Sequence, residues 1–345
     1  MPVTFSQYRS PWWLANGHLQ TLLQIGRRLR SPLPVEHREV TLPDGDFVDV
    51  EISRPEHAPE RRRVAVVTHG LEGSSRAIQS RALAAHLRRH GWEVWSWSFR
   101  SCSGRHNRLP VIYHSACTPD LHAVLRAALE EREAATTRAA LVGYSLGGNL
   151  ILRYLGERGG EVDPRVRCAA TYSVPVDLAA AAAHLDREIP WCIFYREGFL
   201  RSLRARVRWR RPFLPPGLPY DRLDDLRTFR AFDDAITAPL HGFGDAVSYY
   251  DRASSKAVLR GIRVPTLVLN SADDPLLPPP CYPWSAAEAN PDLTLEYSRH
   301  GGHCGFFPSW PGQPFWIERR VVDWLEAPKS DTGPGTAGTA PGSPG

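Results

Sequence analysis

Two hydrophobic patterns alternate along most of this chain. Short, mostly apolar runs typical of buried strands are separated by stretches in which apolar residues recur at helical spacing. The strand-like runs are 64–68, 92–99, 139–144, 168–174, 266–270 and 293–297. The helical stretches include 76–90, 119–132, 146–155 and 314–325. This alternation predicts an α/β fold with a mostly parallel central sheet and helices on both faces.

Two other segments have their own patterns. From about 177 to 254 no convincing buried strand occurs, and an alanine run, an arginine cluster and several prolines stand instead. We predict that this stretch is a mainly helical cap inserted into a single domain that spans 1–326. The segment 327–345 is mostly Ala, Pro, Gly, Ser and Thr, and this composition predicts a disordered tail. A hairpin is predicted over 37–53.

The composition narrows the class of protein. With 345 residues, 42% hydrophobic and 23% charged, the chain has a globular balance. No apolar run approaches the ~20 residues that cross a bilayer, and no basic segment precedes a long apolar stretch at the start. The six cysteines are scattered without Cys-x-x-Cys spacing. We therefore expect a cytoplasmic protein with reduced thiols, no transmembrane segment and no zinc site.

The net charge of +5 is concentrated in one place. Residues 196–211 hold seven arginines and one acid, Glu197. A solvated helix face or a linker is the first interpretation. A peripheral contact with acidic lipid is the second. Nucleic acid is not expected as a partner, because the arginines lie in the predicted cap and not among aromatic or basic readout elements.

A serine flanked by glycines ends one predicted strand. Residues 143–147 read Gly-Tyr-Ser-Leu-Gly, with the strand 139–144 before Ser145 and a helix after it. In that context the serine sits on a tight, strained turn that projects its hydroxyl from the sheet, and the glycines prevent clashes between strand and helix. The context favours Ser145 as a nucleophile over a capping serine in a glycine-rich turn.

A serine nucleophile needs a histidine to accept its proton and an acid to orient that histidine. In this fold the acid and the histidine follow late strands, in that order. Asp273 and Asp274 both follow the strand 266–270. We prefer Asp274, because Leu277 and Pro278 follow it three and four residues later, a common arrangement in hydrolases that use a serine, a histidine and an acid. Asp273 is then a turn carboxylate that bonds its own backbone.

The candidate base follows the next strand. His300 and His303 both lie after 293–297, and His303 stands on a glycine-flanked loop 29 residues after Asp274. We take His303 as the base and His300 as its competitor. A metal site built from His300, His303 and Cys304 lacks a further ligand at suitable spacing, so no metal is expected.

Two backbone N–H groups are candidates for an oxyanion hole. Residues 69–73, His-Gly-Leu-Glu-Gly, follow the strand 64–68 where such a donor normally lies, and we choose the N–H of Leu71. The second is the N–H of Leu146, at the start of the helix after Ser145. His69 is expected to be structural, with its ring bonded to neighbouring backbone. No glycine-rich phosphate loop suggests a nucleotide cofactor, so no cofactor is expected.

Together these residues resemble the YheT-type branch of α/β-hydrolases, which includes bacterial hydrolases and eukaryotic ABHD-type relatives. The resemblance covers nearly everything from Ser10 to Leu325. It rests on the segments 10–21 (SPWWLANGHLQT), 69–73 (HGLEG), 99–100 (FR), 107–110 (NRLP), 113–115 (YHS), 143–149 (GYSLGGN), 232–234 (FDD), 237–243 (TAPLHGF) and 273–275 (DDP).

The resemblance implies a function. Ser145 is implied as the nucleophile, Asp274 as the acid and His303 as the base of a serine esterase that cleaves small-molecule esters of short- to medium-chain acyl groups. Some relatives transfer the acyl group to an alcohol, so alcohol O-acyltransfer is the first alternative. A non-catalytic binding protein on the same fold is the second. A serine at this position disfavours dehalogenase or epoxide-hydrolase chemistry, which relies on aspartate in this fold.

The chain departs from its family at Ser101, where similar proteins usually have glycine after Phe-Arg. Near the amino terminus, Asn16 and His18 are expected to satisfy backbone groups rather than to take part in chemistry. Trp12 and Trp13 are expected to anchor the core or the cap.

Overall fold

A nine-stranded sheet runs through the computed structural model, which describes residues 3–26, 32–57, 62–130, 137–310 and 312–327. The strands are β1 (Val3–Phe5), β2 (Glu36–Thr41), β3 (Phe47–Ser53), β4 (Arg62–Thr68), β5 (Glu93–Trp97), β6 (Thr137–Tyr144), β7 (Val166–Tyr172), β8 (Thr266–Ser271) and β9 (Leu293–Ser298). Apart from Ala327, the predicted tail 327–345 lies outside the described residues.

The strand order is β1-β9-β8-β7-β6-β4-β5-β3-β2. Across the sheet, the seven strands β1, β9, β8, β7, β6, β4 and β5 are all parallel to one another. The strands β2 and β3 form an antiparallel hairpin, and β3 pairs with β5 in the antiparallel sense. The mostly parallel sheet and the hairpin are therefore confirmed. The sequence pattern missed β1, because three residues at a sheet edge are too few to show a period.

The helices among the described residues are α1 (Gly17–Leu23), α2 (Ile78–Arg89), α3 (Thr118–Leu129), α4 (Leu146–Arg158), α5 (Leu178–Leu185), α6 (Pro190–Arg210), α7 (Phe229–Phe232), α8 (Ala238–Leu240), α9 (Ala246–Ala253), α10 (Trp284–Ala289) and α11 (Trp316–Glu326). A π turn over Asp233–Thr237 joins α7 to α8. The predicted helices after β4, β5, β6 and β9 are confirmed as α2, α3, α4 and α11.

Side chains of the central strands alternate between the two faces of the sheet. Trp95 and Trp97 of β5 pack with apolar residues of α3 and α4, whereas Val94, the residue before Trp95, packs with residues of α2 and α11. All three are buried. This period of two places one hydrophobic core on each face, as expected for a parallel sheet covered on both sides.

Residues 177–254 connect β7 to β8. Every one of them is described, and none belongs to a strand. The stretch contains α5 to α9 and packs Leu200, Leu203 and Phe232 into the same core as α4. Its helical character agrees with the expected cap, and the boundaries of the cap stay a prediction.

The arginine-rich stretch is not a simply solvated face. It forms the second half of α6 and continues into the next turn. Arg210 is fully buried and donates to the carbonyls of Asn107 and Leu109. Five others form ion pairs: Arg196 with Glu188, Arg204 with Glu197, Arg206 with Glu72, Arg208 with Asp224 and Arg211 with Asp221. The interpretation as a solvated face or linker is therefore wrong, because much of this charge is paired within the protein.

The two tryptophans near the amino terminus lie at the surface. Trp12 and Trp13 are 90% and 56% exposed, so the prediction that they anchor the core or cap is wrong. The helical turn that carries them buries only Leu14. All six cysteines are buried, and none of them forms a disulfide in the part of the chain that the structure describes. None of the helices in the described ranges combines the length and apolarity needed to cross a membrane.

A close backbone approach fixes α4 against the sheet. A Cβ atom on Gly147 would lie 2.3 Å from the carbonyl oxygen of Thr68 and 2.4 Å from that of His69, at the end of β4. Only glycine allows the first turn of α4 to lie this close.

We therefore expect Gly147→Ala to lower the free energy of unfolding by about 1–3 kcal/mol, measured by urea denaturation. Gly198→Ala is the matched control, since Gly198 also lies in a helix but has nothing within 4 Å of an added Cβ. That variant should gain about 1 kcal/mol from helix propensity. Equal effects of the two substitutions would contradict the packing argument.

Candidate active site

Ser145 occupies the turn between β6 and α4. Its backbone angles are φ 52° and ψ −126°, in a region that non-glycine residues rarely adopt. The N–H of Ser145 donates to the carbonyl of Tyr172 at the end of β7, and its carbonyl accepts from the N–H of Asn149. These bonds hold the residue in a conformation that costs on the order of 1–3 kcal/mol. The strained turn expected from the glycine-flanked motif is present.

The structure brings Ser145, His303 and Asp274 into one hydrogen-bonded chain. Nε2 of His303 lies 2.9 Å from the hydroxyl of Ser145, and Nδ1 lies 2.9 Å from a carboxylate oxygen of Asp274. An ionised carboxylate only accepts, so Nδ1 carries the proton and Nε2 is free to accept from the serine. The other oxygen of Asp274 accepts from the N–H of Leu276. His303 and Asp274 are both buried.

Asp273 and His300 form a separate pair. Nδ1 of His300 lies 3.1 Å from one oxygen of Asp273, and the other oxygen accepts from the N–H of Gly302. Asp273 therefore bonds the histidine loop, and the expectation that it bonds its own backbone in a turn is not what the structure shows. The acid and the histidine preferred from the sequence, Asp274 and His303, are the pair that lies beside Ser145.

Burial and charge act in opposite directions on His303. Burial alone would lower its pKa, because it disfavours the imidazolium. The charge of Asp274 and the hydrogen bond to it outweigh that effect and raise the pKa of His303 well above its ordinary value. This imidazole is therefore well suited to take up a proton.

The loop that carries His303 is held from three sides. The backbone N–H of His303 donates to the hydroxyl of Thr21 on α1. The hydroxyl of Ser271 donates to the carbonyl of Gly302, and the N–H of Cys304 donates to the hydroxyl of Ser173. Sequence reasoning missed Thr21, although it closes the amino-terminal motif 10–21 that carried the family resemblance.

Asn16 and His18 do not join this chain of side chains. The Asn16 side chain accepts from the N–H of Leu19 and caps α1. Nδ1 of His18 lies 3.1 Å from the hydroxyl of Tyr195, and the two rings stack. Asn16 therefore satisfies backbone as expected, whereas His18 contacts the cap helix α6.

The loop 69–73 passes directly over Ser145. A Cβ atom on Gly70 would lie 3.0 Å from the Cβ of Ser145. Leu71 and Leu146, the two predicted oxyanion donors, both line the cavity that contains Ser145. His69 is fully buried, and its Nδ1–H donates to the carbonyl of Gly70 while Nε2 accepts from the N–H of Phe99. Burial lowers the pKa of His69 to about 3, so it is neutral and structural, as expected.

Glu72 ties this loop to the cap helix α6. Its carboxylate accepts from the Nε of Arg206 at 2.7 Å, from the Tyr113 hydroxyl at 2.9 Å and from the Ser202 hydroxyl. Arg206 also donates to the carbonyl of Ser101. Sequence reasoning missed both Glu72 and Arg206, although Glu72 stands inside the 69–73 motif.

Residues with left-handed backbone surround the site. Besides Ser145, they include Glu72 (φ 58°), Ser101 (φ 65°), Ser173 (φ 53°) and Cys304 (φ 62°). Glycine adopts this region at little cost, so Ser101 holds a backbone conformation that a glycine would adopt with less strain. The N–H of Ser101 donates to the side chain of Asn107, which holds the strained turn.

A cavity opens at Ser145 and His303. Most of its wall is apolar and comes from the cap and the adjoining loops. The apolar lining includes Leu146, Leu178, Leu185, Phe199, Leu203 and Leu277.

The comparisons with known proteins agree with this fold. A family model described as the alpha/beta hydrolase fold matches residues 65–309. The chain is 36% identical to the candidate esterase YheT of Escherichia coli strain K12 over 316 residues, which is 90% of each chain. This chain belongs to the α/β-hydrolase family, and within it to the YheT-type branch.

More distant relatives and solved structures extend the likeness. The chain is similar to the human phospholipase ABHD3, with 27% identity over 94% of this chain and 80% of that protein. Among solved structures, the Pyrococcus furiosus esterase Pf2001 aligns with a TM-score of 0.55 at 14% identity, over 92% of this chain and 98% of that one. The α/β hydrolase GrgF from Penicillium sp. sh18 also has a TM-score of 0.55, at 17% identity over 85% of this chain and 98% of that one. At these identities the two structures support the fold alone.

The Glu72–Arg206 pair gives a stability prediction. Both side chains are largely buried, at 7% and 14% exposure, so Arg206→Ala leaves a buried carboxylate without its cation. We expect a loss of about 3–5 kcal/mol in the free energy of unfolding, measured by urea denaturation.

Arg208→Ala is the matched control on the same helix. Arg208 pairs with Asp224 at the surface, where solvent screens the attraction, so little change is expected. If Arg206→Ala proved as mild as Arg208→Ala, the buried pair would not hold the cap as described.

Proposed function

We propose that this protein is a serine hydrolase that cleaves carboxylic esters, with Ser145 as nucleophile, His303 as general base and Asp274 as the acid that orients the histidine. One observation carries the proposal: the hydroxyl of Ser145 and the carboxylate of Asp274 each lie 2.9 Å from opposite nitrogens of the His303 ring. Triads are recognised by this geometry and not by sequence spacing. The names of relatives, an esterase and a phospholipase, favour ester chemistry.

In the proposed reaction, the Oγ of Ser145 attacks the ester carbonyl while Nε2 of His303 takes the hydroxyl proton. Asp274 stabilises the imidazolium that forms, without itself becoming protonated. The N–H groups of Leu71 and Leu146 donate to the oxyanion. The intermediate then breaks its bond to the alcohol oxygen, which takes the proton from His303, and an acyl group remains on Ser145. Water, activated by the same histidine, releases the acid and restores the serine.

We propose short- to medium-chain acyl groups for the acyl part of the substrate. The wall of the cavity next to Ser145 and Leu146 is lined by leucines and Phe199, which suit a hydrocarbon chain. Burial of each methylene in such a wall contributes about 0.8 kcal/mol. Rates should therefore rise with chain length until the cavity is filled.

Ser145→Ala tests the nucleophile. Purified protein should hydrolyse p-nitrophenyl butyrate or octanoate, and the variant should lose about 10⁴-fold or more in kcat. A fluorophosphonate should label the native protein and Ser103→Ala, a serine outside the cavity lining, but not Ser145→Ala. Full activity in Ser145→Ala would refute the mechanism.

Asp274→Asn tests the charge on the base through its pH dependence. Since His303 must be neutral to accept a proton, activity falls as the pH drops through its pKa, which Asp274 raises. Without that charge the pKa falls, so the acidic limb of the kcat/KM profile should move to lower pH. At the same time kcat should fall by about 10⁴.

Asp273→Asn is the neighbouring control, because Asp273 contacts His300 and not His303. Its acidic limb should stay in place. A limb that moves in Asp273→Asn and not in Asp274→Asn would reverse the assignment of the two carboxylates.

A further inference from the structure

One wall of the mainly apolar cavity at Ser145 is polar. Apart from Tyr113 and the residues already assigned to the reaction, its polar lining residues are His114, Ser115, Asp233, Thr237, Tyr249 and Tyr250. Two hydrogen-bonded sets lie among them: Asp233 bonds Thr237 and Tyr250, and Tyr249 bonds Ser115. The rings of Tyr249 and Tyr250 lie 5.5 Å apart. The proposed ester cleavage uses none of these groups.

Three of the sequence motifs meet at this polar wall. His114 and Ser115 come from 113–115, Asp233 from 232–234 and Thr237 from 237–243. The π turn Asp233–Thr237 carries two of these side chains. Such turns are rare in proteins as a whole, and those that occur are often found at functional sites. The three motifs therefore converge on one surface that faces the substrate cavity.

Asp233 is the central group of the polar wall. One oxygen accepts from Thr237 at 2.6 Å and the other from Tyr250 at 2.7 Å. No Lys, Arg or His among the described residues forms an ion pair with it. Burial, together with the charges of Asp186 and Asp234, raises the pKa of Asp233 to about 6, against the two hydrogen bonds that lower it. An uncompensated carboxylate on a cavity wall is costly unless a ligand adds a partner.

The hydrogen-bond capacity of this wall points to a neutral hydroxyl. A carboxylate has about four lone-pair sites, and Thr237 and Tyr250 use two of them. The remaining sites can accept from a ligand. Burial, followed by the charges of His241 and nearby arginines, lowers the pKa of the neighbouring His114 well below its ordinary value, so this imidazole is neutral. A hydroxyl can donate to Asp233 and accept from a neighbouring hydroxyl or imidazole.

We propose that Asp233, with Thr237 and Tyr250, forms a specificity subsite that binds a hydroxyl group of the ester substrate, so that hydroxylated esters are preferred. The proposal rests on the proposed function, since it places the hydroxyl in the cavity that holds Ser145. The same chemistry suits a hydroxyl on the acyl chain or on the alcohol part. The experiment separates these two sources.

The test compares matched esters that differ by one hydroxyl. The acyl pair is p-nitrophenyl octanoate and p-nitrophenyl 8-hydroxyoctanoate, and the alcohol pair is ethyl octanoate and 2-hydroxyethyl octanoate. In at least one pair the native protein should show a kcat/KM about tenfold higher for the hydroxylated ester. In Asp233→Asn that ratio should fall towards one, while hydrolysis of the plain esters continues.

Asp234→Asn is the matched control. Asp234 is adjacent in sequence, pairs with Arg230, does not line the cavity and affects the pKa of Asp233 less than burial, the two hydrogen bonds or Asp186 do, so its ratio should stay close to that of the native protein. If Asp233→Asn does not fold, Thr237→Val is measured instead, and its ratio should also fall.

The outcomes separate this proposal from the previous one. A native ratio of one in both pairs, a ratio that survives Asp233→Asn, or a stronger preference for the choline ester of octanoate than for either hydroxylated ester would overturn the subsite. Failure to cleave any of these esters, with no fluorophosphonate labelling of Ser145, would instead overturn the proposed function.

Discussion

The hydrogen bond between Nε2 of His303 and the hydroxyl of Ser145 joins residues 158 positions apart, and much of the surrounding structure bears on it. Ser145 is held by a strained turn that the close approach at Gly147 makes possible. His303 is held through its loop by contacts from α1, from Ser173 just after β7, and from β8. In the proposed ester cleavage, a displacement of either side chain by about an ångström would lower the reaction rate by about 100-fold.

The cap adds a second constraint on the same region. Arg206 on α6 and Glu72 in the loop over Ser145 form a buried ion pair, and Tyr113 and Ser202 complete the hydrogen bonds of that carboxylate. Buried pairs of this kind tolerate little rearrangement, because separation exposes each charge to an apolar environment. Helix α6 and the loop 69–73 over Ser145 are therefore held together by this pair.

The sequence alone predicted the central strands, the covering helices and the grouping of Ser145, Asp274 and His303, because periodicity and the strand–turn–helix motif are local signals. It could not predict Thr21 as a partner of the histidine loop or Arg206 as a partner of Glu72, since those contacts join segments far apart in the chain. It misjudged Trp12 and Trp13, which are exposed, because large aromatic residues are usually buried. It also misread the arginines of α6, whose partners become visible only when the helices pack.

The contact between α1 and the histidine loop bears on the order of folding. The hydroxyl of Thr21 and the N–H of His303 are 282 positions apart, so this bond closes almost the whole length of the chain. Contacts of such long range form late, because the entropy of the intervening chain must be lost first. During synthesis, the turn at Ser145 emerges well before the loop that must face it. The sheet can thus begin to assemble while Ser145 still lacks its hydrogen-bond partner His303.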